Sequence, residues 1–559
     1  MNDVGFQPGP VTRPVGLETE FGVLRPGDAY ANPVVLSTRV VEAYCAGSGV
    51  PTVRWDYEGE DPLADLRGGR LRRSAAHPSQ LTDDPTRPAP SGDAPSANAG
   101  ETADPPPAPW GSRARPSAAE AALPRATTAV LVNGARFYVD HAHPEYSSPE
   151  VLTPRDALIW DRAGEVVARR AMTALGDESD RGGTPAEIVL YKNNVDGKGA
   201  AYGSHENYLV RRDVPFEELA VVLTPFLVTR PVIAGAGRVG IGQRSEHPGF
   251  QVSQRADYVE SEIGLQTTFN RPIINTRDEP HADNARWRRL HVINGDANRF
   301  DVPIYLKVAA TDLLLWFLEQ AYTEGSGRFK EALARLKDLA IIGDPVEEHW
   351  ALSHDPSLSH ELRTQAGAMT ALEVQRAILD AVSPAVTRVE DAQAHRALAL
   401  WRQVLDALEQ WRRDGSGPAA QMVEWVAKYE LCEGLRRRSG TGWDDPRLAA
   451  LDIQWADLRP GRSVVDKLDA AGRIHRLVAD AEIQRAADTP PEGTRAAVRG
   501  TAIRRHRQIV GASWTCLLLD VPGTPALARL RLPDDVVVGP DETATILEEI
   551  GRRAAPERH

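Results

Sequence analysis

The sequence is short of the features that most readily assign a chain to a class. Its 559 residues hold three cysteines, Cys45, Cys432 and Cys516, too far apart for a zinc knuckle. They read as packing residues of a reducing compartment. No apolar run is long enough to cross a bilayer: Ala220 to Val228 and Leu313 to Leu318 fall well short of the roughly 20 residues a spanning helix needs. The opening MNDVGFQPGPVTRPVG lacks the basic-then-apolar order of a secretion signal, so the expectation is a cytoplasmic protein with no membrane partner. Positive charge is scarce as well. A formal net charge of −13 argues against a nucleic-acid partner, because neutralising phosphates takes a basic surface. It disfavours acidic protein partners too, unless a basic groove is hidden in the average, and Arg286, Arg288 and Arg289 supply one local basic patch. The 42% hydrophobic and 26% charged residues are ordinary for a globular protein, and the length suits two domains.

What the chain does have is polar chemistry compressed into short stretches, above all NGARFYVDHAHPEYSSPE, Asn133 to Glu150. Asn133-Gly134 predicts a type I′ hairpin turn, since both residues tolerate positive φ. The flanking TTAVLV (127–132) and RFYVD (136–140) read as its two strands. On the second, Arg136, Tyr138 and Asp140 face one way and Phe137 and Val139 the other, as on the wall of a polar cleft. His141, His143, Glu145 and Ser148 follow in one short loop. Upstream, VGLETEFGVL (15–24) reads as a strand. Glu18 and Glu20, two apart, point the same way, which suits either shared hard cations or an exposed strand bearing two acids.

Helical spacing marks residues 33–46, 154–175 and 215–228, and a short strand is expected at 52–56. Between about 67 and 125, Pro, Ala, Ser, Gly, Asp and Arg dominate, a composition that buries too little apolar surface to offset its ordering entropy. It reads as a disordered insertion, either a gate beside the hairpin or an inert loop. A strand is expected at 186–193, then a polar loop, NVDGKGAAYGSHENY (194–208). Gly235-Ala-Gly237-Arg-Val-Gly240 matches G-x-G-x-x-G, but strand and turn residues follow it where a dinucleotide fingerprint must open a helix, so that reading is rejected. Residues 250–258, 264–269 and 272–276 alternate like strands. From 302 to about 478 the apolar period is helical, and from 488 to 559 a small α+β appendage is expected.

Taken in order, GLETEFG, NGARFYVDHAHPEYSSPE, NNVDGKGAAYGSHENY, VGIG, QRADY, RPIINTRDEPHAD and RRLHVINGDAN resemble the carboxylate-amine ligase-like enzymes of pupylation, a family related in fold to glutamine synthetase. The resemblance covers most of the chain. It implies an α+β fold: a glutamine-synthetase-like domain (1–487, with the 67–125 insertion) in which helices pack a curved antiparallel sheet cradle, and a small C-terminal α+β domain (488–559). Two sister activities share these motifs. One ligates prokaryotic ubiquitin-like protein (Pup) to lysines; the other deamidates Pup and cleaves it from proteins. The chain is similar to the second, because DHAHPEYSSPE lacks the extra residue the ligase usually carries between aspartate and histidine, and because a long insertion precedes the hairpin. The ATP-dependent ligase is the alternative.

The resemblance implies a hydrolase that converts Pup's C-terminal glutamine to glutamate and cuts the Pup–lysine isopeptide bond. Its cofactors would be Mg2+ and ATP, or ADP plus phosphate, and its partners Pup and pupylated proteins, with a monomer favoured. Asp140 matches the catalytic aspartate, as nucleophile or base. Glu18, Glu20 and Glu145 would hold magnesium beside Tyr138, with His205 and His281 as further ligands. Arg136 and Arg277 would meet nucleotide phosphate, Ser148 falls where the ligase has a nucleotide-contacting threonine, and Trp514 would lie near the adenine.

Overall fold

Two β-sheets organise the chain, and side-chain alternation in their strands decides which face of each is buried. The computed structural model describes residues 6–48, 53–77, 80–81, 108–117, 127–182 and 187–555. Numbered in chain order, the strands of these sheets are β1 (Val15–Glu20), β2 (Arg54–Trp55), β3 (Trp110–Arg113), β4 (Thr128–Val130), β5 (Arg136–Asp140), β6 (His143–Ser147), β7 (Ser204–Arg211), β8 (Ser261–Gly264), β9 (Pro272–Asn275), β10 (Trp287–Val292), β11 (Ile509–Ala512), β12 (Cys516–Leu519) and β13 (Leu527–Arg531). The larger sheet runs β8-β9-β10-β7-β1-β6-β5-β4 and the smaller β2-β11-β12-β13-β3. In the larger sheet every neighbouring pair is antiparallel except β8 and β9, which are parallel.

Five helices matter for the site: α1 (Pro33–Ser48), α2 (Pro154–Gly182), α3 (Phe216–Thr229), α4 (Asp301–Thr323) and α5 (Arg495–Arg505). The first starts where Asn32 Oδ1 accepts from the amides of Val34 and Val35, with Pro33 supplying a preset φ. One face of the larger sheet is apolar: Val15 and Leu17 of β1, Tyr208 and Val210 of β7 and Leu290 of β10 join α2, α3 and α4 in one core. Each such side chain contributes roughly 1.5–3 kcal/mol on burial, so this face is fixed against the helices and the opposite face is left to polar groups. Ahead of β1, buried Arg13 is clamped to α4, with Nε 2.7 Å from Asp312 and Nη2 2.6 Å from Glu319. Among the described residues no helix is long and apolar enough to cross a membrane.

The smaller sheet joins distant parts of the chain. Its strands β11, β12 and β13 come from near the C-terminus, β2 precedes the stretch expected to be unstructured, and β3 lies within it. Trp110–Arg113 therefore corrects that expectation locally: four residues gain order by pairing with β13, and most of the insertion lies outside the described residues. Helix α5 docks this unit under the hairpin. Fully buried Arg499 donates to the carbonyl of Gly134 from both Nε (3.0 Å) and Nη2 (2.8 Å), and pairs with Glu150. Gly500 permits the approach, since a Cβ there would stand 2.5 Å from the Val132 carbonyl oxygen.

Other expectations shift. The hairpin turn is not type I′: Gly134 takes a φ of +83°, Asn133 does not join it in the left-handed region, and Gly134 N donates to Leu131 O. That is the three-residue loop that ends on a left-handed glycine. SHENY is part of strand β7 rather than loop, and residues 265–269 leave the sheet after β8 ends at Gly264. The strand expected at 250–258 stops at Gln251 and gives way to a 3-10 turn at Ala256–Tyr258. Arg238–Ile241 is a strand, in keeping with rejecting the dinucleotide motif.

Candidate active site

Strand register gathers the polar residues on the open face of the larger sheet. Residues directly opposite one another on neighbouring strands share a face, with Cβ atoms about 5 Å apart. Tyr138 opposes Glu145, which opposes Glu20, making one row across β5, β6 and β1. A second row runs Arg136, Ser147, Glu18, His205 across β5, β6, β1 and β7. Asn207 opposes His291, and Leu209 opposes Arg289, which extends the face to β10. The intervening residues Phe137, Tyr146 and Leu17 point into the apolar cores.

Two groups of possible ligands result. Glu18, His205 and His291 offer atoms that all lie within 4.8 Å of one another, and so do Glu20, Asp140 and Glu145. In the first group Glu18 is surrounded by donors and positive charge. His205 Nδ1 lies 3.1 Å from one of its oxygens, Asn207 Nδ2 donates to the other at 3.0 Å, and the Arg289 guanidinium stands 4.0 Å away. Burial works against the ionised form, yet the bond to His205 and the charge of Arg289 hold Glu18 at about 2. Among the described residues buried His291 has no hydrogen-bond partner on either ring nitrogen; burial, then Arg289, push it well below the usual imidazole range.

The second group has no such compensation. Burial, reinforced by the charges of Asp140, Glu18 and Glu20, raises Glu145 well above the usual carboxylate range. Its neighbours are Tyr138, whose hydroxyl donates to Oε1 at 2.8 Å, and Ser147, which donates to the same atom at 3.2 Å. Three carboxylates and a phenol form a hard oxygen-donor set, and their mutual repulsion is what a divalent cation relieves. Asp140 stays ionised: burial opposes its charge, but the bond with His141 Nδ1 at 2.8 Å and that ring's charge lower it. His141 holds a left-handed φ of 52°, and His143 Nδ1 lies 3.5 Å from Glu20.

Beside Glu18 opens a cavity walled by Gly16, Ser148, His281, Arg289, Arg495 and Trp514 among others. Trp514 comes from the turn between β11 and β12, with the Arg499 guanidinium 4.9 Å above its ring. Arg495 and Arg499 both pair with Glu150; burial opposes that carboxylate's charge, but the two guanidiniums hold it at about 2. An aromatic wall, arginines and a carboxylate cluster at the mouth suit a ligand with a flat base and several negative charges.

The structure brings Glu18 and His205 into one group and Glu20, Asp140 and Glu145 into the other, with Tyr138 bonded to Glu145. Ser148 and Trp514 line the cavity; the Ser148 hydroxyl donates to the Pro149 carbonyl and accepts from Leu17 N. Arg136 lies between the rings of Trp55 (4.1 Å) and Tyr138 (3.8 Å). His281, at a φ of 50°, joins neither group of ligands and stands on the cavity wall, where burial pushes it down to about 4. Arg277 pairs with Glu279 at 3.2 Å. Sequence reasoning gave no role to Glu150 and Arg495, and it noted Asn207, Arg289 and His291 only as polar residues of a ligand-facing loop, a basic patch and a strand end. For His291 and Arg289 the signal was period-two spacing within RRLHV.

Comparison with known proteins places these features in context. A profile described as Pup-ligase protein matches residues 13–518. The chain is 42% identical over 530 residues to the Pup deamidase/depupylase of Mycobacterium tuberculosis, covering 93% of this chain and 94% of that one. A depupylase of Acidothermus cellulolyticus is 41% identical, with 93% of each covered. The Pup–protein ligase of Acidimicrobium ferrooxidans is 39% identical over 391 residues, 69% of this chain and 81% of its own. Among solved structures, the complex of Pup with its ligase PafA superposes with a TM-score of 0.71 at 27% identity, covering 97% of this chain and 93% of that one. The ligase PafA in complex with ADP gives a TM-score of 0.67 at 32% identity, over 77% and 91% of the two chains.

Proposed function

The chain belongs to the Pup-ligase family, and from that premise we propose that it works in the hydrolytic direction, as a Pup deamidase and depupylase. It is a hydrolase, as are relatives that match it across nearly its full length, whereas the sequence match to the Acidimicrobium ferrooxidans ligase spans 69% of this chain. Its partners in this reading are Pup and pupylated proteins. The cofactor is an adenine nucleotide with magnesium, which when bound neutralises the carboxylates and polarises the amide oxygen.

The observation that carries the reading is Asp140, a carboxylate kept ionised at the edge of an acidic group of ligands on the open sheet face. Its oxygen attacks the side-chain amide carbon of Pup's last residue. The carbon–nitrogen bond breaks, and nitrogen leaves with a proton as ammonia from glutamine or as the lysine amine from a conjugate. Water then opens the anhydride, releasing a glutamate end and restoring Asp140. Trp514, Arg136, Ser148 and Arg277 are assigned to the nucleotide, and Glu18, Glu20, Glu145, His205 and His291 to metal, with Tyr138 and His281 beside them.

The test is ammonia release from glutamine-ended Pup and cleavage of a Pup conjugate, with ADP plus phosphate and with ATP. Asp140→Asn should abolish both while ADP binding persists; undiminished turnover in that variant removes the assignment. Accumulation of conjugate from glutamate-ended Pup, ATP and a lysine-bearing protein would instead favour ligation.

A further inference from the structure

Strands β5 and β6 are joined by only two residues, His141 and Ala142, because Asp140 and His143 already face each other in register. Of the two, His141 alone has a positive φ, 52°. In a two-residue hairpin loop such a place suits glycine, which has no Cβ to crowd the backbone. A larger side chain is strained there. Strain of this kind persists where the surroundings enforce it, and it clusters at sites of function. Here the surroundings do enforce it: buried Ser37 of α1 donates its hydroxyl to the Ala142 carbonyl at 2.8 Å, and Phe137 of β5 is packed in the apolar core against the same helix.

The turn brings the imidazole onto the carboxylate beside it. His141 Nδ1 lies 2.8 Å from Asp140 Oδ2. An ionised carboxylate can only accept, so Nδ1 carries the hydrogen and donates it. Bonds to a charged oxygen are roughly twice as strong as neutral ones. Asp140 Oδ1, by contrast, has no hydrogen bond among the described residues. One oxygen is held and the other is open. The same carboxylate lies close enough to Glu20 and Glu145 to turn toward them, so an unheld Asp140 would present its oxygens in several directions. Attack on an amide carbon needs one of them aimed along a narrow path.

We propose that His141 is a positioning residue, whose Nδ1–H holds Oδ2 of Asp140 and leaves Oδ1 as the oxygen that attacks the amide carbon. This rests on the hydrolase reading above, with Asp140 as nucleophile, and gives a task to a side chain that reading leaves without one. A nucleophile steered by a fixed neighbour is a recurring arrangement in covalent catalysis. It also accounts for an imidazole where the backbone alone favours glycine.

The experiment uses the full chain with ADP, phosphate and magnesium, and follows ammonia release from glutamine-ended Pup by the wild type, His141→Gly and His141→Asn. Glycine suits the backbone and lacks the donor, so fold and positioning should part. His141→Gly should melt no lower than the wild type and keep its ADP affinity, yet show a kcat roughly thirtyfold to a hundredfold lower with KM within about threefold. Asparagine tolerates a left-handed backbone, and its Nδ2 is bonded to Cγ as Nδ1 is in histidine, so His141→Asn should recover most of the lost kcat. Undiminished kcat in His141→Gly, or a His141→Asn as slow as the glycine variant, overturns the assignment. Loss of ADP binding or a lower melting temperature in His141→Gly overturns it too, since His141 would then serve the fold. If the wild type releases no ammonia, or Asp140→Asn turns over undiminished, the hydrolase reading falls instead, whatever His141→Gly does.

Discussion

Glu18 and Glu145 sit on neighbouring strands of one sheet face, and the protein handles their charges in opposite ways. Glu18 is matched by His205, Asn207 and Arg289 and is held at about 2. Glu145 is pressed against Asp140, Glu18 and Glu20 and is raised far above the usual range. One group is balanced from within. The other is relieved when a proton or a cation joins it, and the proposed cation binding is assigned there for that reason.

Breaking the comparison is most direct at Glu145. Glu145→Gln should lower ammonia release roughly a hundredfold at fixed magnesium, yet the magnesium-free variant should melt no lower than wild type, because repulsion has been relieved. A lower melting temperature without metal contradicts the contrast. Glu18→Gln should do the reverse: the metal-free protein loses about 1–3 kcal/mol, since His205 and Arg289 lose their acid, and calorimetry in chelator reads the fall. A smaller effect is expected at His291, whose ring nitrogens bond nothing among the described residues. His291→Asn should weaken Mn2+ binding about tenfold by isothermal titration, with the Glu18–His205 contact, and hence metal-free melting, nearly unchanged.

The smallest effect concerns a third carboxylate of the matched kind. Glu150 is lowered from 4.5 to about 2, so its stabilising contribution is full above pH 4.5 and is lost as pH falls toward 2. Melting of wild type and Glu150→Gln should differ above pH 5 and converge toward pH 2. A gap that persists at pH 2 would mean that packing, not charge, accounts for it.

The sequence made legible whatever depends on alternation within a single strand. Glu18 with Glu20, and Arg136 with Tyr138 and Asp140, share a face because side chains repeat every two residues, and the structure puts them there. What depends on pairing between distant strands was not legible. His291 reaches Glu18 only because β10 lies beside β7 and β7 beside β1, and no local pattern states that order. Glycines at 197, 199 and 203 made SHENY look like loop, whereas hydrogen bonding on both sides turns it into β7. His281 lies among metal-binding residue types in EPHAD, but a left-handed backbone turns it toward the cavity. Trp110–Arg113 was hidden by its composition, because its order comes from a partner strand at the far end of the chain.

That last pairing reaches into biogenesis. Asp56 meets Cys516 across 460 residues of sequence, and β2 and β3 have no sheet to join until β11 to β13 exist. During synthesis the early strands must wait, edges bare, for almost the whole polypeptide to leave the ribosome. The wall that carries Trp514 is thus among the last parts to close, and a nascent chain stalled before residue 509 should be unable to retain nucleotide.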